Sequence, residues 1–267
     1  MLAVIRSSQY CGNQKDASQR PLQAGATLSL SLSCIRLLIA SCCIFLMACG
    51  GGGGSSNPSP SSSPVANSSS PAVQLGGQVT YDFVPHNANK IGLNYSDTSA
   101  RPGRGLLVEL LDSNNLILAT ANTDDLGYYS FNVELKKPVK IRVKAQLLRT
   151  QLPVWNFKVT DNTSGNNVYA MDGALVEVND ATAVRNLHAA SGWRGTGYNQ
   201  PRVAAPFAIL DSIYEGLERI VAVNNSLTFL PLELRWSVRN KAAEGNVILG
   251  EIGTSYYDDS AIYILGD

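Results

Sequence analysis

Cysteine, histidine and aspartate carry most of the chemistry open to this chain, and they are unevenly spread. All five cysteines (Cys11, Cys34, Cys42, Cys43, Cys49) fall within the first 49 residues. Cys49 stands apart because it closes an uncharged run, Leu37 to Ala48, and is followed by five consecutive glycines. A cysteine is a nucleophile through its thiolate. There are two histidines, His86 and His188, too few for a His-rich metal site or an H-E-x-x-H helix. His188 is the one candidate base in the second half, yet no G-x-S-x-G elbow supplies a nucleophile for it. A surface histidine on a short helix is the weightier reading. Asp112, Asp124 and Asp125 could offer oxygens to calcium, or could cap their own turns. Asp258 and Asp259 are adjacent, so on a strand they would face opposite ways; they read as a turn.

The segment that positions Cys49 has a recognisable order. Its twelve uncharged residues after Arg36 would span about 18 Å as a helix, well short of the ~30 Å hydrocarbon core. That length suits the apolar core of an export signal. Leu46-Met47-Ala48-Cys49 resembles the bacterial lipobox, in which the cysteine accepts a diacylglycerol group and becomes the new N-terminus. The resemblance implies a lipoprotein anchored at Cys49 through palmitate-type acyl chains, which hold stably when two or more are present. It also implies passage through the lipoprotein processing and sorting machinery. Gly50 in place of an aspartate favours delivery to the outer membrane. The stretch ahead of Arg36 is long for such a signal, which points to a start codon nearer Leu28.

Residues 50–74 are glycine, then serine, proline and asparagine almost throughout. Such a spacer has a root-mean-square span of roughly 25–30 Å and no fixed direction. The whole chain balances 21 Lys+Arg against 21 Asp+Glu. Setting aside residues 1–48, with four cations (Arg6, Lys15, Arg20, Arg36) and one anion (Asp16), leaves 17 against 20, a mild acidity. Nucleic acid is thereby a poor partner.

Beyond the spacer, short strands alternate with turn signals. Val79, Tyr81 and Phe83 alternate with polar neighbours; Gly105–Leu111 and Leu116–Ala121 flank the turn Asp112–Asn115; Tyr128–Val133 and Val139–Ala145 follow. In the last of these Val139, Ile141, Val143 and Ala145 face one way, while Lys140, Arg142 and Lys144 form a solvated face. Lys136 and Lys137 sit in the turn before it. This spacing predicts a β-sandwich. Val108–Asp112 and Ala119-Thr120-Ala121-Asn122-Thr123-Asp124-Asp125-Leu126-Gly127-Tyr128-Tyr129-Ser130-Phe131 resemble carboxypeptidase-regulatory-like, prealbumin-like domains. There the glycine turns the chain tightly and the aromatics enter the core.

After residue 180 the pattern becomes mixed. Asp180 is placed to cap a short helix through Ala190. Gly192-Trp193-Arg194-Gly195-Thr196-Gly197-Tyr198 is glycine-rich but lacks the G-K-[ST] ending of a phosphate loop, so no cofactor is implied. Pro206 suits a first helical turn, and Phe207, Leu210, Ile213/Tyr214, Leu217 and Ile220/Val221 recur at helical spacing, with Asp211 assigned to the polar face. Leu232–Val238, Val247–Leu249 and Ala261–Leu265 read as strands. Arg202–Asp211, Ile252–Tyr257 and Ile262–Asp267 resemble the part of zincin-like metallopeptidases that precedes their H-E-x-x-H helix. No zinc ligand can be carried over.

These readings imply a mainly β fold in which a prealbumin-like sandwich is followed by a smaller α+β segment, after a disordered signal and linker. The expected segments are signal peptide 1–48, lipidated cysteine and tether 49–74, sandwich 75–180 and α+β segment 181–267. The expected role is a membrane-tethered binding or spacer module of the outer membrane, facing the periplasm or the exterior, without catalysis, cofactor or metal. Its protein or glycan ligand is open. One alternative is the upstream part of a tethered zinc peptidase whose H-E-x-x-H helix lies beyond Asp267. Another is a carbohydrate-binding module using Tyr128, Trp155 and Trp193.

Overall fold

A computed structural model describes residues 72–180, 182–259 and 261–266. Cys49, the apolar run before it and nearly all of the spacer lie outside the described residues.

Alternation in the sequence becomes strand wherever one face can be buried. β1 (Ala72–Phe83) already includes the last residues assigned to the spacer, because Val73 and Leu75 begin its inward row. It is followed by β2 (Ser99–Pro102), β3 (Leu106–Leu111), β4 (Ile117–Asn122), β5 (Tyr128–Glu134) and β6 (Pro138–Arg149). β7 (Trp155–Asp161), β8 (Asn167–Val168), β9 (Ala170–Asp172), β10 (Val176–Glu177), β11 (Thr182–Val184) and β12 (Leu187–Ala189) complete the run before the helix. Then come α1 (Ala204–Val221), β13 (Leu232–Trp236), β14 (Tyr256–Asp258) and β15 (Ala261–Ile264). The fold is mainly β, with two sheets and one α-helix among the described residues.

β1 is the spine of the smaller sheet. Its first half pairs antiparallel with β5 and parallel with β11; its second half pairs antiparallel with β2 and parallel with β12. The larger sheet runs β14-β15-β13-β7-β6-β3-β4, with β8 added to β7 and β9 and β10 added to β6. Leu75, Val79 and Tyr81 of the first sheet share one core with Val108, Ile141, Val143 and Val159 of the second and with Phe207 and Leu210 of α1.

The region after residue 180 does not form a layer of its own. β11 and β12 extend the smaller sheet, and β13 lies parallel between β7 and β15 in the larger one. The core therefore crosses the expected boundary at residue 181. The expected helix over 180–190 is β11 and β12 instead. Leu187 and Ala189 point inward and His188 outward, a period of two that parallel pairing to β1 rewards and a helix would not. Val247–Leu249, expected as a strand, is a 3₁₀ turn, because the Asn246 side chain accepts the Ile248 N–H (2.9 Å) and closes the backbone on itself. α1 forms as expected, with Pro206 in its first turn and Phe207, Leu210, Tyr214 and Leu217 buried. Asp211 is buried with them, contrary to its assignment to the polar face. No helix of the described residues is long and apolar enough to cross a membrane.

Candidate aromatic site and cleft

Two neighbouring features are shaped to hold a ligand, and both begin in the loop between β12 and α1. Gly192 takes φ +81°, and a Cβ there would lie 2.5 Å from the carbonyl oxygen of Gln200, so only glycine lets the loop fold back on residues 200–201. Arg194 N–H then donates to the Gly197 carbonyl (3.0 Å), and Trp193 pairs with Tyr198 across the turn. The hairpin thereby sets two aromatic rings side by side, edge to face at 5.3 Å. A third ring arrives from far away in sequence. Tyr95, in the 3₁₀ turn Tyr95–Asp97, stacks on Trp193 with centroids 3.8 Å apart and planes 12° from parallel. Its hydroxyl and that of Tyr198 are 2.7 Å apart. Burial, then that hydrogen bond, pushes the Tyr95 phenol up to about 12.

Arg202 joins this cluster to a cleft. Its guanidinium lies 4.1 Å above the Tyr198 ring and 5.5 Å from the Trp236 ring, and it donates to the Gly266 carbonyl. The cleft, about 290 Å³, is lined by Asp161, Tyr169, Arg202, Phe207, Trp236 and Val238. It opens where β7 and β13 end and α1 begins, since Asp161 and Trp236 are the last residues of those parallel strands. Crevices at the carboxyl ends of parallel strands are frequent ligand sites. Tyr169 donates to the Trp236 carbonyl (3.1 Å), and burial, then the charge of Asp161, holds its phenol above the ordinary tyrosine range. Asp161 accepts from the backbone and hydroxyl of Thr163 (2.9 and 2.7 Å). Aromatic faces, one carboxylate and one guanidinium can hold a ligand that presents both C–H surface and hydroxyl groups. Beside Asp161, the hydroxyls of Thr163 and Ser237 pair with each other at 2.9 Å.

The residues expected from sequence distribute widely. Trp193 is in the cluster, Tyr128 is exposed on β5, and Trp155 is buried in the core, which removes it from any sugar-binding surface. Asp112 accepts from the backbone N–H groups of Asn114 and Leu116, and Asp124 from those of Leu126 and Tyr128. Asp125 accepts the Tyr214 hydroxyl (2.7 Å). All three therefore act in turn and side-chain hydrogen bonding. Asp258 ends β14 and Asp259 turns with φ +46°, as adjacent turn acids would. The cationic stripe of β6 is not free in solvent. Asp172 holds Lys140 (2.8 Å) and Arg142 (2.6 Å), while Glu109 lies 3.8 Å from Lys144. The Arg142 hydrogen bond holds the Asp172 carboxyl down at about 2. Lys137 faces Glu134 at the surface. Among the described residues no three His, Cys, Asp or Glu side chains converge as a metal site.

His188 has partners that its sequence neighbours did not reveal. Its Nδ1 lies 2.9 Å from the Thr80 hydroxyl and its Nε2 3.0 Å from Asp82, whose other oxygen accepts the Ser191 N–H (2.8 Å). Hydroxyl, imidazole and carboxylate follow the order of a hydrolytic triad. Here they lie on an exposed strand face, outside both the cluster and the cleft, and clip β12 to β1. The register Thr80↔His188 brings them together, and only knowledge of that pairing could have predicted it. Tyr95 and Arg202 were missed for the same reason.

No protein-family model matches the chain, and no curated protein matches it. Limited likenesses to solved structures include the following two. A candidate carbohydrate-binding protein from Pseudomonas aeruginosa is 12% identical, with a TM-score of 0.24 over 44% of this chain and 88% of that one. The major plantain pollen allergen is 14% identical, with a TM-score of 0.23 over 44% of this chain and 94% of that one. Likenesses of this size carry no argument about fold or ligand.

Proposed function

We propose that this chain is a cell-envelope lipoprotein, acylated at Cys49 and tethered to the outer membrane, whose folded region is a non-catalytic saccharide-binding module. The observation that carries the ligand reading is the continuity of the Tyr95–Trp193–Tyr198 cluster with the cleft through Arg202. A sugar ring offers an apolar C–H face to aromatic carbons and hydroxyls to groups such as Asp161 and Arg202. Partly exposed rings linked through Arg202 to a cleft that holds a carboxylate suit that chemistry. The tether reading rests on the sequence at Leu46–Cys49.

The test is a glycan array probed with the full chain, followed by titration of the best hit. Trp193→Ala is expected to weaken that binding at least tenfold, whereas Tyr128→Ala, on β5, leaves it within twofold. An array without hits, or equal affinity for the Trp193→Ala chain, would reject the ligand reading. For the tether, radiolabelled palmitate is expected to enter the native chain and to be absent from Cys49→Ala; persistent labelling would reject acylation at that residue.

One arrangement favours a second reading, the upstream part of a tethered zinc peptidase. β7, β13 and β15 are parallel, β14 is antiparallel beside β15, and α1 lies between β7 and β13 in the chain. A long helix and such an edge strand are what the zincin-like resemblance implies. Reading the gene downstream of codon 267 decides it: an in-frame H-E-x-x-H favours the peptidase, and an immediate stop rejects it.

A further inference from the structure

One face of Trp193 is already taken. Tyr95 lies almost parallel to it at 3.8 Å, and the Tyr95 hydroxyl meets that of Tyr198 at 2.7 Å. Sugar C–H groups pack on an aromatic face at about 3.5–4.0 Å, so a sugar on this face needs the space that the Tyr95 ring fills. The Tyr198 phenol stands where it bonds the hydroxyl of a ring lying on that face. Tyr95 thus offers Trp193 and Tyr198 what a sugar offers them, a flat apolar surface and one hydroxyl.

The segment that carries Tyr95 is fastened by little else. Residues 85–98 lie between β1 and β2, and none of them is fully buried. Asn87 N–H donates to the Gly92 carbonyl (2.9 Å), Asn94 N–H to that of Pro85 (2.8 Å) and the Thr98 hydroxyl to that of Tyr95 (2.7 Å), all within the segment. Among the described residues, Tyr95 is the one residue of 85–98 that a hydrogen bond or ring contact joins to the rest of the chain. Its release uncovers no core, the condition for local opening at low cost.

We propose that Tyr95 is a built-in stand-in for the ligand: it fills a one-sugar subsite on Trp193, and a saccharide ring takes its place with one hydroxyl on Tyr198. This rests on the saccharide reading above. Binding then displaces the stack, so the apparent affinity of the native chain is lowered by the stability of the closed arrangement. The worth of one stacked ring pair sets that factor at roughly two- to tenfold.

Two measurements on the full chain test it. Titrated with the array glycans that the native chain binds, Tyr95→Ala is expected to bind roughly two- to tenfold more tightly, whereas Trp193→Ala binds less tightly. Weaker binding by Tyr95→Ala would make Tyr95 an ordinary contact and overturn the inference. The second measurement needs no glycan. Lys90 is exposed in the segment, and a lysine-specific protease is expected to cut after it roughly fivefold faster or more in Tyr95→Ala and in Trp193→Ala. Cutting after Lys136, in the turn between β5 and β6, keeps its native rate. Tyr95→Phe, which retains the ring and loses the hydroxyl, falls between native and Tyr95→Ala. Unchanged cutting after Lys90 in both alanine variants would also overturn the inference. Faster cutting after Lys90 with an array silent for both the native and the Tyr95→Ala chain would reject the saccharide reading, and the subsite with it, while the hold of Tyr95 on the segment stands.

Discussion

Asp211→Ala is expected to lower unfolding free energy by about 2–4 kcal/mol, seen as a fall in the urea midpoint with an unchanged m-value. Asp211 is 7% exposed on the core side of α1. One oxygen accepts the Tyr81 hydroxyl (2.6 Å) and the other the Arg104 Nε–H (2.7 Å). One carboxylate thus ties the helix to β1 and to the turn entering β3. Burial and then the bond to Asp211 raise the Tyr81 phenol far above its ordinary range, so it remains a neutral donor at any physiological pH. Removing the carboxylate strands that hydroxyl in the core and leaves a guanidinium, 26% exposed, without its counter-ion. The partial exposure of Arg104 keeps the expected cost below that of breaking a fully buried pair. Tyr81→Phe removes only the donor, and should cost about 1 kcal/mol. In the double variant the two losses should fall short of their sum, because each removes part of the same bond. A loss under 1 kcal/mol for Asp211→Ala would mean that water reaches these groups and the network is not structural.

Gly127→Ala is expected to cost about 3 kcal/mol or more, and to leave little folded chain at elevated temperature. Gly127 adopts φ +80°, where a non-glycine residue loses roughly 1–2 kcal/mol. A Cβ there would also come within 2.4 Å of the Val79 carbonyl oxygen, and backbone cannot swing aside as a side-chain tip would. That carbonyl is already in use, accepting the Gly103 N–H at 2.9 Å, while Gly127 itself receives the Val79 N–H at 2.8 Å. Strain at Gly127 would therefore disturb β1, the spine of the smaller sheet. Gly195→Ala is the internal control. Gly195 has φ +90° but open space around its Cα, so the conformational part alone should appear, roughly 1–2 kcal/mol. Equal losses at the two positions would show that the close approach to Val79 carries no cost.

Gly127 also shows how much of the fold could be read in advance. Asp124 caps the turn, Gly127 supplies the left-handed residue, and Tyr129 and Phe131 enter the core while Tyr128 stays outside. All of that is encoded within about eight residues and needed no knowledge of the rest. The inward row of β6, Val139, Ile141, Val143 and Ala145, is equally local. Asp211 is the opposite case. Its place in the helical repeat looked polar, and it is buried because partners 130 and 107 residues away bring a hydroxyl and a guanidinium to meet it. His188 misled in the same way, since the residues that turn 180–190 into strand belong to β1.

By itself, then, the amino-acid order determined the period-two strands, the turn at Gly127, the amphipathic helix and the Leu46–Cys49 pattern, because each is set by torsional preference or apolar spacing within a few neighbouring residues. The tertiary structure decided where the segments after residue 180 lie, which polar groups are buried together, and that Tyr95, Trp193, Tyr198 and Arg202 form one cluster. Those outcomes depend on contacts between residues about a hundred positions apart. Such contacts form only when burial of the shared core repays the entropy of closing the long loops between them, and no local pattern in the chain records which pairs will meet.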